Sequence, residues 1–131
     1  MTTAHNILIV DDDPLALVIL SHELSQAGYQ TMTADSGEKA LKLLEKNPSQ
    51  FSAVILDRIM SPLSGLDVLH EIYKKPDIKN IPIIMLTSHA EATDKIAATI
   101  AGVFDILMKP DDGTDWAPLL MALKRALREK N

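Results

Sequence analysis

Short apolar runs alternate along this chain with longer segments whose apolar residues recur every three or four positions. We predict that the short runs are strands, at residues 7–10, 30–34, 53–56, 81–86 and 103–108. Residues 7–10, 53–56 and 83–86 are apolar on both side-chain faces. Such strands need cover on both sides, which a parallel sheet between two layers of helices provides. We therefore expect these three strands to lie inside the sheet.

Helix start and stop signals separate the strands. Asp13-Pro14 predicts the start of a first helix and Gly28 its end. Either Asp35 or Ser36 is expected to cap a second helix, with Glu38 completing a capping box after Asp35 and Asn47-Pro48 ending the helix. A third helix is predicted from Ser64 to before Pro76, a fourth from near Ala90 to Gly102, and a fifth from about Thr114 to Lys130. Five βα units with right-handed crossovers predict an α/β fold, a doubly wound five-stranded parallel sheet with five helices.

Length and composition narrow the classes of function. The chain has 131 residues, which suits a single domain over residues 1–131. Its formal net charge of −5 argues against direct DNA binding, and the absence of cysteine excludes disulfides and thiolate metal sites. The apolar runs are far shorter than the roughly 20 residues that span a bilayer, and residues 1–10 do not resemble a signal peptide. We expect a cytoplasmic protein without a membrane segment.

Polar residues follow four of the predicted strands where each strand ends. Asp11 and Asp12 follow the first strand, Asp57 the third, Thr87 the fourth and Lys109 the fifth. Because the carboxyl ends of parallel strands share one edge of the sheet, and ligands of open α/β sheets bind there, we expect these groups to converge. Each residue alone is more simply a solvated strand end, but four independent coincidences are improbable.

Three carboxylates in one crevice require a compensating cation. Two carboxylates about 5 Å apart repel by roughly 3 kcal/mol at an effective dielectric of about 20. Hard oxygen ligands select Mg²⁺ or Mn²⁺ over zinc. With Lys109, one divalent ion neutralises Asp11, Asp12 and Asp57, which leaves a site suited to a phosphoryl group. Asp57 is then a candidate nucleophile, since carboxylates form aspartyl phosphates.

These residues resemble those of a known family. The motifs are Asp11-Asp12-Asp13-Pro14 after the first apolar run, Asp57 with Met60 and Gly65 at the family's offsets, Thr87-Ser88, Ala101-Gly102 and Lys109-Pro110. Over nearly the whole chain they resemble the receiver domains of two-component response regulators, of the chemotaxis type. The resemblance implies a flavodoxin-like sheet with strand order 2-1-3-4-5.

The resemblance also implies a function and a set of site residues. Asp57 is expected to accept a phosphoryl group from a histidine kinase or a histidine phosphotransfer protein, which switches binding to a downstream target. Mg²⁺ is expected on Asp11, Asp12, Asp57 and the backbone carbonyl of Ile59, with Thr87 and Lys109 contacting the phosphate. A cis peptide bond is expected before Pro110. On this interpretation the chain is a phosphoacceptor switch and not a turnover enzyme.

Two positions depart from the family's pattern. The family usually has proline four residues after the phosphoacceptor, where this chain has Ser61 followed by Pro62. The position three before Lys109 is commonly Tyr or Phe, whose ring moves with the threonine, and here it is Ile106. We expect a modified switch that still uses Thr87, or a module that switches weakly. Phe104, two residues before Ile106, is predicted to lie on the same face.

Other interpretations remain open. One is a receiver-like scaffold that binds partners without phosphorylation, and a more remote one is a small aspartyl-phosphate phosphatase of the haloacid dehalogenase type. The first helix is apolar all round, so Leu15, Val18 and Ile19 are expected to be partly exposed. These side chains form either a docking patch or a surface that neighbouring loops cover. A docking patch would bind a partner protein or a second copy of the chain. The cluster Lys124, Arg125, Arg128 and Lys130 either complements the last helix's dipole or meets an anionic partner.

Overall fold

The computed structural model describes residues 5–88 and 102–129. Its strands are β1 Asn6–Val10, β2 Gln30–Ala34, β3 Ala53–Asp57, β4 Ile83–Thr87 and β5 Asp105–Met108. The α-helices of the described residues are α1 Pro14–Gln26, α2 Gly37–Lys46, α3 Gly65–Tyr73 and α4 Ala117–Glu129, and Pro48–Gln50 forms a 3₁₀ helix. The helix predicted between residues 90 and 102 lies almost wholly outside the described residues. No described helix has the length and apolar character needed to cross a membrane.

All five strands belong to one parallel sheet, in the order β2-β1-β3-β4-β5. This confirms the predicted doubly wound, flavodoxin-like fold. The three strands that are apolar on both faces, β1, β3 and β4, occupy the middle of the sheet as predicted. Their apolar side chains are almost completely buried, whereas β2 and β5 at the edges are partly exposed.

Alternate residues of the inner strands enter two separate cores. Leu8, Val54 and Met85 belong to a cluster with residues of α2 and α3 on one face of the sheet. Ile7, Ile55 and Ile84 belong to a cluster with residues of α1 and α4 on the other face. This division follows from the two-residue period of a strand, which sends neighbouring side chains to opposite faces.

Local capping explains where the helices begin. Asp13 accepts a hydrogen bond from the backbone N–H of Leu15 and caps α1. Ser36, and not Asp35, caps α2, and it accepts from the N–H of Lys39 at 3.2 Å. The carboxylate of Asp35 instead pairs with the Lys39 side chain at 2.8 Å, so the capping box predicted from Asp35 does not form.

The capping box occurs instead at α3. The Ser64 hydroxyl accepts from the N–H of Asp67, and the Asp67 carboxylate accepts from the N–H of Ser64. Gly28 follows α1 with φ +96°, a left-handed conformation that glycine adopts without steric cost. The predicted end of the first helix is therefore confirmed.

Several boundaries differ from the predicted ones. β4 begins at Ile83 rather than at residue 81, since Pro82 has no N–H to give to a sheet ladder, although its carbonyl accepts from Val54 at 3.0 Å. The last helix begins at Ala117 rather than near residue 114. β3 and β4 each run one residue further than predicted, so Asp57 and Thr87 are the final residues of their strands.

The expectation of a cis bond before Pro110 is wrong. In the described part of the chain the cis peptide bond joins Ser61 and Pro62, in the loop that follows β3. Peptide bonds before proline differ little in energy between the two isomers, so a short motif does not fix the isomer without its surroundings.

Gly65, the first residue of α3, lies against the end of β3. Its N–H donates to the carbonyl of Arg58 at 2.8 Å. A Cβ atom at this position would lie 2.3 Å from the backbone oxygen of Asp57 and 2.9 Å from Cα of Arg58. Only glycine allows this close approach without moving the backbone that carries Asp57.

We therefore predict that Gly65→Ala destabilises the protein by about 1–3 kcal/mol, because a rigid backbone oxygen must shift to admit the methyl group. Urea unfolding followed by circular dichroism measures the change. Lys42→Ala, on the exposed face of α2, is the control and should stay within about 0.5 kcal/mol of wild type. Equal stability of Gly65→Ala and wild type would show that the close approach is not a constraint.

Candidate phosphoacceptor site

One ammonium group joins two carboxylates at the carboxyl edge of the sheet. Lys109, directly after β5, places Nζ 2.9 Å from Oδ2 of Asp11 and 3.2 Å from Oδ1 of Asp57. Asp11 follows β1 and Asp57 ends β3, so three separate strands supply these groups. The structure thus brings together three of the residues that the sequence places at strand ends.

Backbone contacts hold the Asp11 carboxylate in place. Its Oδ1 accepts from the N–H of Asp13 at 2.9 Å, and the N–H of Asp11 donates to the carbonyl of Ala34 at 3.1 Å. Only 2% of Asp11 is exposed. The second oxygen of Asp11 is thereby directed at Lys109.

Asp12 completes a cluster of three carboxylates. Its side chain is exposed, and one oxygen each from Asp11, Asp12 and Asp57 lies within 4.8 Å of the others. An all-oxygen donor set with one exposed member suits Mg²⁺, which binds few carboxylates and keeps several waters. The residues present therefore fit this ion. Ile59 lies two residues after Asp57 with its side chain exposed, and its carbonyl remains a predicted ligand.

Burial and charge perturb both ends of the ion pair. Burial raises the pKa of Asp57 to about 6, and the Asp11 carboxylate adds to the rise while Lys109 opposes it. Burial by itself lowers the pKa of Lys109, but the hydrogen bond to Asp11 and the charges of Asp57 and Asp11 outweigh it, so this pKa is raised. At neutral pH the site therefore contains an ionised but poorly solvated Asp57 beside a firmly protonated lysine.

Thr87 is buried at the end of β4, with 1% of its surface exposed. Its hydroxyl accepts a hydrogen bond from Nε of Arg58 at 3.1 Å, and its carbonyl accepts from the N–H of Lys109 at 2.8 Å. The sequence interpretation overlooked Arg58. The register of the two strands could have indicated this contact. Asp57 of β3 pairs with Leu86 of β4, so the next residues, Arg58 and Thr87, also lie side by side.

Ile106 occupies the place where the family's aromatic residue is expected. It pairs in register with Met85 and packs against the same core cluster as Met85, on the α2 and α3 face of the sheet. Phe104 packs against the other cluster, so the prediction that it shares a face with Ile106 is wrong. β5 begins at Asp105, and the alternation of faces does not extend to a residue before the strand.

The apolar first helix leaves two large side chains uncovered. Leu15 is 64% exposed and Val18 is 65% exposed. Ile19 is partly exposed and also packs against the second core cluster. All three side chains are therefore exposed at least in part, as predicted. Leu15 and Val18 lie in the first two turns of α1, the helix that begins directly after Asp11, Asp12 and Asp13. In the basic group of the last helix, Arg125 forms an ion pair with Asp105 at 2.9 Å.

A family model described as the response regulator receiver domain matches residues 7–117. The chain belongs to this family. Among curated relatives, the transcriptional regulatory protein GlrR of Escherichia coli is 39% identical to this chain over 107 residues. The aligned region covers 82% of this chain and 23% of GlrR. A probable transcriptional regulator, ycf27 of Cyanidium caldarium, is 35% identical over 97% of this chain and 49% of its own length. The receiver thus spans half or less of these relatives.

Solved structures of receiver domains and response regulators share the fold of this chain. A receiver domain protein from Clostridium thermocellum matches with TM-score 0.87 and 31% identity, covering 96% of each chain. The response regulator TrrA of Thermotoga maritima, solved in complex with Mg(2+)-BeF, matches with TM-score 0.82 and 33% identity, covering 94% of this receiver and 99% of TrrA.

The raised pKa of Asp57 predicts a pH-dependent effect of Asp57→Asn. Asp57 ionises near pH 3.8 in the unfolded chain and near pH 6 in the folded protein. Ionisation of Asp57 therefore lowers the free energy of unfolding, and this loss of stability develops between pH 3.8 and 6 and is complete above pH 6. In metal-free buffer, we expect Asp57→Asn to raise the free energy of unfolding by about 1–2 kcal/mol at pH 7.5, with the gain lost below about pH 4.

Urea unfolding at several pH values in the presence of EDTA measures this difference. Asp77→Asn, at an exposed aspartate, is the control and should give a difference within about 0.5 kcal/mol at every pH. If Asp57→Asn raised the free energy of unfolding equally at pH 4 and pH 7.5, burial of Asp57 and its repulsion by Asp11 would not explain the gain.

Proposed function

We propose that residues 1–131 form one cytoplasmic receiver domain in which Asp57 accepts a phosphoryl group from a histidine kinase or a histidine phosphotransfer protein. Phosphorylation then changes the affinity of the domain for a downstream protein. The observation that carries the proposal is the lysine shared between the buried Asp11 and Asp57, with Asp12 beside them. This arrangement concentrates negative charge around the Asp57 carboxylate and places the Lys109 ammonium in contact with two of the three carboxylates.

Asp11, Asp12, Asp57 and the carbonyl of Ile59 would hold Mg²⁺. The hard-oxygen donor set and the close approach of the three carboxylates support this assignment, as does the TrrA complex with Mg(2+)-BeF. When bound, the ion supplies positive charge to the oxygens of the phosphoryl group being transferred. Lys109, 3.2 Å from Oδ1 of Asp57, would contribute a second positive charge.

The proposed reaction is a phosphoryl transfer. An oxygen of ionised Asp57 forms a bond to phosphorus while the P–N bond of the donor's phosphohistidine breaks, and the electron pair of that bond remains on the imidazole nitrogen. A pKa of about 6 leaves Asp57 mostly ionised at neutral pH, which the attack requires. Lys109 would then donate to a phosphoryl oxygen, and the Thr87 hydroxyl would donate to another.

The domain is proposed to act as a switch rather than as a turnover enzyme. Two acidic side chains, a dianionic phosphoryl group, one divalent ion and Lys109 leave one negative charge uncompensated. Rearrangement of donors around the phosphoryl group therefore follows from its charge. The relatives named as transcriptional regulators are longer than this chain, and its net charge of −5 favours a protein partner over direct contact with DNA.

Leu15 and Val18 are proposed to form the docking surface for the phosphodonor protein. They are large, apolar and exposed on the first two turns of α1, the helix that follows Asp11 and Asp12 in the chain, and a phosphohistidine must reach Asp57 at this edge of the sheet. A donor that buries these side chains would gain apolar contact next to the site of transfer.

Phosphorylation can be tested by intact mass after incubation with Mg²⁺ and acetyl phosphate. We expect wild type to gain one phosphoryl group and Asp57→Asn to gain none, and EDTA should abolish the gain. Asp77→Asn should behave as wild type. No gain in wild type would favour the receiver-like scaffold, and repeated turnover of a phosphate ester would favour the phosphatase.

The docking surface can be tested with Val18→Glu. We expect this variant to lose transfer from a phosphorylated phosphotransfer protein by at least about tenfold, because a charge is placed in an apolar contact. Phosphorylation by acetyl phosphate should be unchanged. Met121→Glu, in a side chain that is also 65% exposed, is the matched control. Equal losses with both donors would show that Val18 affects the site itself and not docking.

A further inference from the structure

Arg58 follows the proposed phosphoacceptor directly, and its backbone is fixed on both sides. Its N–H donates to the carbonyl of Leu86 at 2.9 Å, and its carbonyl accepts from the N–H of Gly65 at 2.8 Å. These two bonds tie the residue to β4 and to the start of α3. The origin of the Arg58 side chain is therefore fixed relative to the end of β4.

The guanidinium of Arg58 is directed at Thr87. Nε lies 3.1 Å from the Thr87 hydroxyl oxygen, and the side chain is partly buried. A threonine hydroxyl accepts hydrogen bonds through its lone pairs and donates one through its hydrogen. When the arginine N–H donates to one lone pair of this oxygen, the rotation of the hydroxyl is restricted. The hydroxyl also becomes a stronger donor, because a hydrogen bond from a charged group polarises the next hydrogen bond in the series.

The positive charge of Arg58 is opposite in sign to the charge that phosphorylation adds to the site. Converting the Asp57 carboxylate to a dianionic acyl phosphate adds one negative charge to a site in which Lys109 is shared with Asp11. Arg58 is a second side-chain cation, one residue along the chain from Asp57 and hydrogen-bonded to Thr87.

We propose that Arg58 is a positioning residue of the phosphoryl site, which orients the Thr87 hydroxyl toward the phosphoryl group and, through its charge, strengthens that hydroxyl as a hydrogen-bond donor. This role rests on the proposed phosphorylation of Asp57. Arg58 acts through the Thr87 side chain, so its contribution depends on the presence of the hydroxyl.

The test is a double-mutant cycle on binding of beryllium fluoride, which forms a tetrahedral, phosphoryl-like adduct on carboxylates, in the presence of saturating Mg²⁺. We expect Arg58→Ala to weaken binding about tenfold in the wild-type background, as for the loss of one hydrogen bond to a charged group. In the Thr87→Ala background the same change should weaken binding less than about twofold. Arg58→Lys, which keeps the charge but lacks Nε, should be intermediate.

Two measurements separate this role from a general loss of structure. The affinity for Mg²⁺ alone should not fall in Arg58→Ala, since a nearby positive charge is removed. Arg125→Ala is the matched control, because it removes an arginine paired with Asp105 at the start of β5, the end of the strand away from Lys109, and it should leave both affinities unchanged.

The outcomes are distinct. Equal losses from Arg58→Ala in the two backgrounds, no loss in either, or a parallel loss of Mg²⁺ affinity would overturn the positioning role while leaving the proposed function intact. Failure of wild type to bind beryllium fluoride with Mg²⁺ would overturn the proposed function and, with it, the role of Arg58.

Discussion

The bond from Lys109 to both Asp11 and Asp57 is the interaction on which the site depends. Two buried carboxylates at adjacent strand ends repel each other, and one ammonium placed between them makes the arrangement tolerable. The compensation is incomplete, because burial and Asp11 still raise the pKa of Asp57 to about 6. The parallel sheet makes this geometry available, since it delivers residues that are far apart in sequence to one edge.

Much of the fold was predictable, because it follows from local patterns. Strands such as β1 and β3, apolar on both faces, have no stable place except between two layers of helices, and Pro14, Gly28 and Ser64 mark helix ends through their own backbone chemistry. The convergence of Asp11, Asp57 and Lys109 was predictable for the same reason, since each directly follows or ends a strand of one parallel sheet.

Features that depend on particular side-chain contacts were not predictable. Asp35 and Ser36 are both suitable caps for α2, and in the structure Ser36 accepts from the N–H of Lys39 while Asp35 pairs with the Lys39 side chain. The face on which Phe104 packs depends on where β5 starts, and the bond from Arg58 to Thr87 depends on the register between β3 and β4. A single sequence specifies which residues are strand-forming more firmly than it specifies how neighbouring strands align.

Calorimetric titration with Mg²⁺ at several pH values shows whether a carboxylate cluster compensated by Lys109 holds a partly desolvated Asp57. Because metal binding requires Asp57 to lose its proton, we expect one Mg²⁺ per chain and an affinity that rises about tenfold between pH 5 and pH 7 and then levels off. No binding, or an affinity that is the same across this range, would contradict this expectation.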